Sequence, residues 1–168
     1  MSNIIMVAGA TGNLGAKIVD ALLNHGADVR ALVRLECSDE KIKMLRERGV
    51  KVFQVDMLNA DEISKACAGV DCVVSALSGL RDVVIDLQKT LLDSAVKAGV
   101  PRFIPSDYSL DFTKLAAGTN RNLDWRREFH THLDAAPIQV TTVFNGAFMD
   151  LLTTDMPLIL YRFRRILY

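Results

Sequence analysis

Gly9, Gly12 and Gly15 stand three residues apart, between an apolar run of strand type (IIMVA, 4–8) and a stretch of helical period that begins at Asn13. Three missing side chains at one strand-to-helix junction suit phosphate chemistry. Gly9 can end the strand in a tight turn, Gly12 lets the backbone approach an anion closely, and Gly15 lets the helix pack tightly on the sheet. The N–H groups of Asn13 and Leu14, with Thr11 inside the turn, then lie at the positive end of a helix dipole, an arrangement suited to a dinucleotide pyrophosphate. A glycine triplet alone is weak evidence. Placed directly between a strand and a helix at the start of a βαβ unit, it has the context that gives the motif meaning.

Charge at the end of the second strand, VRALVR (29–34), selects the cofactor. A unit that binds NAD places Asp or Glu about 20 residues past the glycines to hold the ribose hydroxyls. Arg34 stands there instead, with Glu36 just beyond, and a guanidinium matches a 2′-phosphate, so the expected cofactor is NADPH (NADP). Asp56, at the end of the third strand, either reaches the adenine edge or caps the helix before Asn59. Ser75, Ala76 and Leu77 close the fourth strand and could line the cofactor trough.

Proton chemistry is less well supplied. No Tyr is followed four residues later by Lys, the pair in which the ammonium lowers the phenol's pKa: Tyr108 is followed by Phe112, Tyr161 by Arg165, and Tyr168 is the last residue. Tyr108 and Lys114 share an irregular segment and form the candidate donor and its tuner. His130 and His132, two apart on a helix, point to nearly opposite sides, so no metal site is expected. SALSGL (75–80) lacks the Gly-x-Ser-x-Gly form, which disfavours a hydrolase.

The elements that must position these residues alternate. Strand-like runs at 3–8, 28–33, 50–55, 71–76, 102–105 and 138–144 are separated by helix-like stretches at 13–25, 38–48, 59–68, 82–98 and 121–135. That order predicts an α/β fold, a Rossmann-type doubly wound parallel sheet with helices on both faces. Segment 105–120 has no clean period and comes after a strand, which places it at the sheet's carboxyl edge, where ligands bind in such folds. We expect residues 1–150 to form the NAD(P)-binding domain. Residues 151–168 are expected to begin an incomplete C-terminal substrate-binding portion, a strand or helix awaiting partners rather than a membrane-surface segment.

Composition bounds the rest. With 168 residues, half of them hydrophobic, the chain can bury a sizeable core, and 20 basic against 20 acidic residues leave no footprint for nucleic acid or an anionic membrane. Three cysteines without a CxxC pair suggest neither a disulfide framework nor zinc, and the start carries no signal peptide; a soluble, cytoplasmic protein is expected.

Taken together, GATGNLG (9–15), Arg34, Asp56 and GVPRFIPSDYS (99–109) resemble the NmrA-like and isoflavone reductase-like atypical short-chain dehydrogenase/reductases. The resemblance runs over essentially the whole chain. It implies an NADPH site, a cofactor contact at Gln88, and nicotinamide-side contacts from Ser106 and from FNGAF (Phe144, Asn145, Phe148). Periodicity by itself makes Phe144 and Phe148 core residues and Gln88 an exposed helix residue. The family's isoflavone reductase-like enzymes use a Lys on the helix before the sixth strand, and that position holds Arg126, which can orient an oxyanion but is a poor proton donor. A solvated helix arginine is the plain alternative. Family members continue into a substrate-binding portion beyond the point where this sequence stops. Two functions are then open: an NADPH-dependent reductase of a small carbonyl, quinone or enone compound, or a non-catalytic NADP(H)-sensing regulator acting on a protein partner. The partner is thus a small-molecule substrate or a regulated protein, with no nucleic acid and no membrane; oligomeric state stays open.

Overall fold

The computed structural model describes residues 2–149 and the strand residues 159–160 and 165–166. Six parallel strands form its sheet: β1 (Ile4–Ala8), β2 (Asp28–Arg34), β3 (Lys51–Val55), β4 (Cys72–Ser75), β5 (Arg102–Ile104) and β6 (Gln139–Val140), in the order β3-β2-β1-β4-β5-β6. The chain winds outward from β1 to β3, then returns to the other side of β1 to make β4. Between β1 and β4 lies the topological switch point, where the connections leave in opposite directions and a crevice opens at the carboxyl edge. Ala8 pairs with Leu32 on one side and Ser75 on the other, so the three strands that frame the crevice end level.

Helices α1 (Asn13–Asn24) and α2 (Asp39–Glu47) cover one face; α3 (Ala60–Cys67), α4 (Gln88–Lys97) and α5 (Arg121–Ala135) cover the other. Strand residues alternate between the two cores. Val7, Ala31, Val33 and Val74 pack with Val19, Ile42 and Leu45, while Met6, Ala8, Leu32, Val73 and Phe103 pack with Ile63, Leu91, Leu92, Phe129 and Leu133. Both faces are covered, which is why these strands read as unbroken apolar runs rather than alternating ones.

Local signals set the ends of the helices. Asn59 caps α3 by accepting from the N–H groups of Asp61 and Glu62 at 3.1 and 3.3 Å, and Asn120 caps α5 in the same way. Arg30 closes the far end of α3 through the carbonyls of Ala66 and Ala68 at 3.0 and 2.8 Å.

Two elements depart from expectation. The helix expected over 82–98 begins as a π turn, Asp82–Leu87, that runs straight into α4. A π turn carries an extra residue, which rotates the faces of the helix after it by about 100°. The strand expected over 138–144 is paired only at Gln139 and Val140, opposite Arg102 and Phe103, because β5 has three residues to offer. Past Thr141, whose N–H reaches the Phe103 carbonyl at 3.1 Å, the chain leaves the sheet and is held again where Gly146 N–H donates to the Ser109 carbonyl at 3.0 Å. Within the expected substrate portion, β7 (Ile159–Leu160) pairs antiparallel with β8 (Arg165–Ile166); its other residues lie outside the described ones.

Candidate functional site

The glycine turn sits at the switch point, and each glycine has its own reason. Gly9 has φ 86°, and a Cβ on it would lie 2.5 Å from the Ala76 carbonyl oxygen, so the turn passes directly against the end of β4. At Gly15 a Cβ would fall 2.0 Å from the Gly9 carbonyl oxygen. Its missing side chain therefore lets α1 close on the turn itself, a tighter constraint than packing against the sheet. A Cβ on Gly12 meets only the Gly9 oxygen, at 3.3 Å, and otherwise points into open space. That space is where two cavities meet, of about 420 and 370 Å³, sharing Gly12, Ala76, Leu77 and Ser78. Gly12 also occupies the capping position of α1, which has no side-chain cap and no acid in its first turn, and the helix's positive end faces this junction.

The larger cavity runs toward β2. Gly9, Thr11 and Gly12 form one wall, exposed Arg34 stands with Glu36, Ser38 and Lys41 at the far end, and Met57, Val83 and Leu87 complete the lining. Lys41 and Ser38 went unnoticed in the sequence, where Ser38 reads only as a helix start. Its hydroxyl makes no cap bond in the structure. Asp56 is not part of this lining. Its carboxylate accepts from Leu58 N–H at 2.9 Å, its own N–H donates to Glu62, and the capping residue is Asn59, so Asp56 caps no helix. Ser75 is wholly buried within β4, where its side chain cannot face the trough; Ala76 and Leu77, past the end of the strand, do face it.

The smaller cavity runs the other way, from Asn13, Leu14 and Lys17 past Leu77 to Ser106, Tyr108, Arg126 and Phe148. Ser106 donates its hydroxyl to the Leu77 carbonyl at 2.7 Å and its N–H to Gln88 Oε1 at 2.8 Å. Gln88 itself is fully buried, with its amide NH2 on the Val84 carbonyl at 3.0 Å. The expected exposed position is thus overturned by the phase shift of the π turn, and Gln88 reaches the cavity only through Ser106.

Tyr108 and Lys114 are not brought together. The short 3₁₀ turn Phe112–Lys114 directs Lys114 into solvent, its side chain 82% exposed and its Nζ 3.2 Å from Asp111 Oδ2. Tyr108 is instead pushed up to about 12, first by burial and then by the neighbouring Asp107 carboxylate. This is the opposite of a tuned acid. Arg126 corrects the plain reading as a solvated residue. It lines the cavity, its Nη1 donates to the Asn122 carbonyl at 2.9 Å, and its Nε is buried without a partner; burial lowers its pKa while Asp107 opposes that shift.

One pair escaped sequence reasoning. Asp107 is fully buried, with Oδ2 2.5 Å from His130 Nε2 and Oδ1 without a partner. The available signal was spacing: Arg126 and His130 are four apart on α5 and share a face, toward the acid of the PSDYS segment. The His130 ring meets Phe112 edge-on at 5.0 Å, and Phe112 meets Phe144 in the same way. Phe144 is 37% exposed and Asn145 is exposed; neither lines either of these two cavities, whereas Phe148 lines the smaller one. The core reading of Phe144 and Phe148 fails because the sheet pairing that would bury them ends at Val140. Arg127 pins the surrounding loop to α5 through the carbonyls of Phe112 and Leu115 at 2.5 and 2.9 Å.

The model of the NmrA-like family matches residues 1–162. The chain belongs to the NmrA-like family. Pinoresinol reductase 1 of Arabidopsis thaliana is 30% identical over 155 residues, 86% of this chain and 49% of that protein. A bifunctional pinoresinol-lariciresinol reductase of Linum usitatissimum is 32% identical over 113 residues, 64% of this chain and 36% of that one. Among solved structures, AtPrR2 with NADP+ and (+)pinoresinol superposes with a TM-score of 0.80 at 28% identity, over 90% of this chain and 52% of that chain. This NmrA-like chain spans about a third to a half of the length of such relatives. Among its described residues no helix is long and apolar enough to cross a membrane, and no group of three or more His, Cys, Asp or Glu side chains could hold a metal ion.

Proposed function

We propose that this chain binds NADPH and forms the cofactor-holding part of an NADPH-dependent reductase of a small carbonyl, quinone or enone compound. The observation that carries the reading is the continuous trough, with Arg34 at one end, the glycine turn at its centre, and Tyr108 and Arg126 at the other. The junction at Gly12, which a side chain would fill, fits a pyrophosphate beneath the positive end of α1. Arg34, with Lys41 in the same lining, takes the 2′-phosphate; Leu77 and Ser106 support the nicotinamide end. Residues 1–150 constitute this cofactor domain, and the chain from 151 onward begins the substrate-binding portion.

Bound NADPH would supply a hydride to the substrate. Arg126, always charged, stabilises the oxygen that gains negative charge, and Tyr108 holds its proton and donates a hydrogen bond to the same oxygen. Neither gives up a proton readily, so water supplies it. NADP+ and (+)pinoresinol in the solved relative support both the cofactor and a small-molecule substrate.

The decisive measurement is a fluorescence titration of NADPH and NADH against the chain and its Arg34→Ala variant. Loss of a charge-assisted contact to phosphate weakens NADPH by about 10- to 100-fold and leaves NADH nearly unchanged; equal losses for the two would remove the 2′-phosphate role. A second reading, a non-catalytic NADP(H)-sensing regulator, is favoured specifically by the absence of a ready proton donor at Tyr108 and Arg126. Tight binding of NADPH and NADP+ with no oxidation of NADPH by a quinone and aldehyde panel would establish it over the reductase.

A further inference from the structure

Arg126 is a half-buried cation without a counter-ion. Its Nη1 is spent on a helix carbonyl, its Nε has no partner, and it makes no ion pair among the described residues. The acid whose field reaches it, Asp107, is held by His130 through Oδ2 and does not come within ion-pair distance of the guanidinium. Removing a cation even partly from water without compensation is costly, and an incoming anion would offset that cost here. The rest of the wall agrees. No acid among the described residues lines this cavity, Tyr108 stays protonated and presents a donor rather than a repelling charge, and Leu14, Leu77 and Phe148 supply an apolar surface.

We propose that the cavity beside Arg126 is a site for an organic acid with an apolar body, its carboxylate held by the Arg126 guanidinium and the Tyr108 hydroxyl. The guanidinium N–H groups left over from the Asn122 contact and the Tyr108 hydroxyl can donate to the two oxygens of a carboxylate, whose charge offsets that of the guanidinium. The inference rests on the reductase reading only in making this acid the substrate, as an acid whose C=C bond is conjugated to the carboxylate, so that the oxygens held here are the ones that gain charge on hydride addition; binding of the acid stands by itself. Anionic chemistry has one other source, the cofactor's own pyrophosphate, since Gly12 and Leu14 belong to the same cavity.

The test is a calorimetric titration of the 168-residue chain with cinnamate and with its neutral counterpart, cinnamyl alcohol, each with and without saturating NADP+. Cinnamate is expected to bind about tenfold or more tightly than the alcohol, as a charge-assisted contact provides, and to keep that preference with NADP+ present. Arg126→Gln should abolish the preference without a matching loss of NADP+ affinity, and Arg126→Lys, which keeps the charge, should retain part of it. Equal affinity for acid and alcohol, no binding of cinnamate in any arm, or a preference that survives Arg126→Gln overturns the proposal. So does displacement of cinnamate by NADP+ together with weakened NADP+ binding in Arg126→Gln, which assigns the guanidinium to the cofactor. A chain that fails to bind NADPH sinks the reductase reading alone, because the cofactor-free arm still reports on the acid.

Discussion

Arg34 and Arg126 stand at opposite ends of one trough, and they reach it by different routes. Arg34 is the last residue of β2, exposed, and carried to the crevice by the register that aligns β2 with β1 and β3. Arg126 lies inside α5, half-buried, and faces the cavity because Phe129 and Leu133 anchor that helix to the sheet and Asp107 packs against His130 one turn later. The first placement needs only one βαβ unit, with the glycine turn about 20 residues ahead of the arginine. The second depends on contacts of α5 with strands from the other end of the chain and with the 105–115 segment, and on an acid with no role in the sequence's own periodicity. The Arg34 end is thus specified within one βαβ unit, while the Arg126 end is a product of packing.

The two ends can be tested separately. The largest effect is expected from His130→Ala, which leaves the fully buried Asp107 carboxylate with no partner on either oxygen. Stability should fall by roughly 3–5 kcal/mol, seen as a drop in Tm on the order of 10 °C, yet below the transition NADPH affinity should persist. If NADPH binding falls with it, the two ends are not separable. Gly15→Ala attacks the centre instead. A Cβ there meets the Gly9 carbonyl at 2.0 Å, so the turn must shift; a cost of roughly 1–3 kcal/mol and loss of NADPH binding are expected by melting and titration. Normal affinity would mean that the turn does not cradle the phosphates.

Titration at alkaline pH probes the far end. The Tyr108 proton is held to about 12 in the folded chain against about 10 in the unfolded one, so its stabilising contribution is present below pH 10 and lost as pH rises from 10 through 12. Cys67 and Cys72, raised to about 11 by burial, act in the same direction from a lower pH. Tyr108→Phe should therefore flatten the fall in Tm above pH 10 without abolishing it, and an unchanged alkaline profile would place the phenol in solvent. The smallest effect belongs to Lys114→Ala. Its partner Asp111 is a surface group, and the ammonium does not act on Tyr108, so both Tm and any turnover should stay within error of the parent.

Much of the fold was legible in the residues themselves. Five of the six strands and four of the five helices fall within a few residues of their expected bounds, since apolar runs bounded by glycine and Asn caps are local signals. What failed had a common cause. Gln88 was misplaced by a π turn that no residue announces, Phe144 and Phe148 by a strand that stops when its neighbour runs out of partners, and Ser75 by its position within β4 rather than past its end. The Tyr108–Lys114 pairing failed because sequence proximity in an irregular loop says nothing of direction.

The sequence by itself determined the doubly wound sheet, the glycine turn at its switch point and the arginine at the end of β2, because each is written in neighbouring residues whose backbone and packing needs are local. Only the tertiary structure decided that Arg126 enters a cavity without a counter-ion, that Asp107 is buried against His130, and that Lys114 stays in solvent. Those outcomes depend on which side chains from distant segments fill the same volume, and on which charges are left there without water.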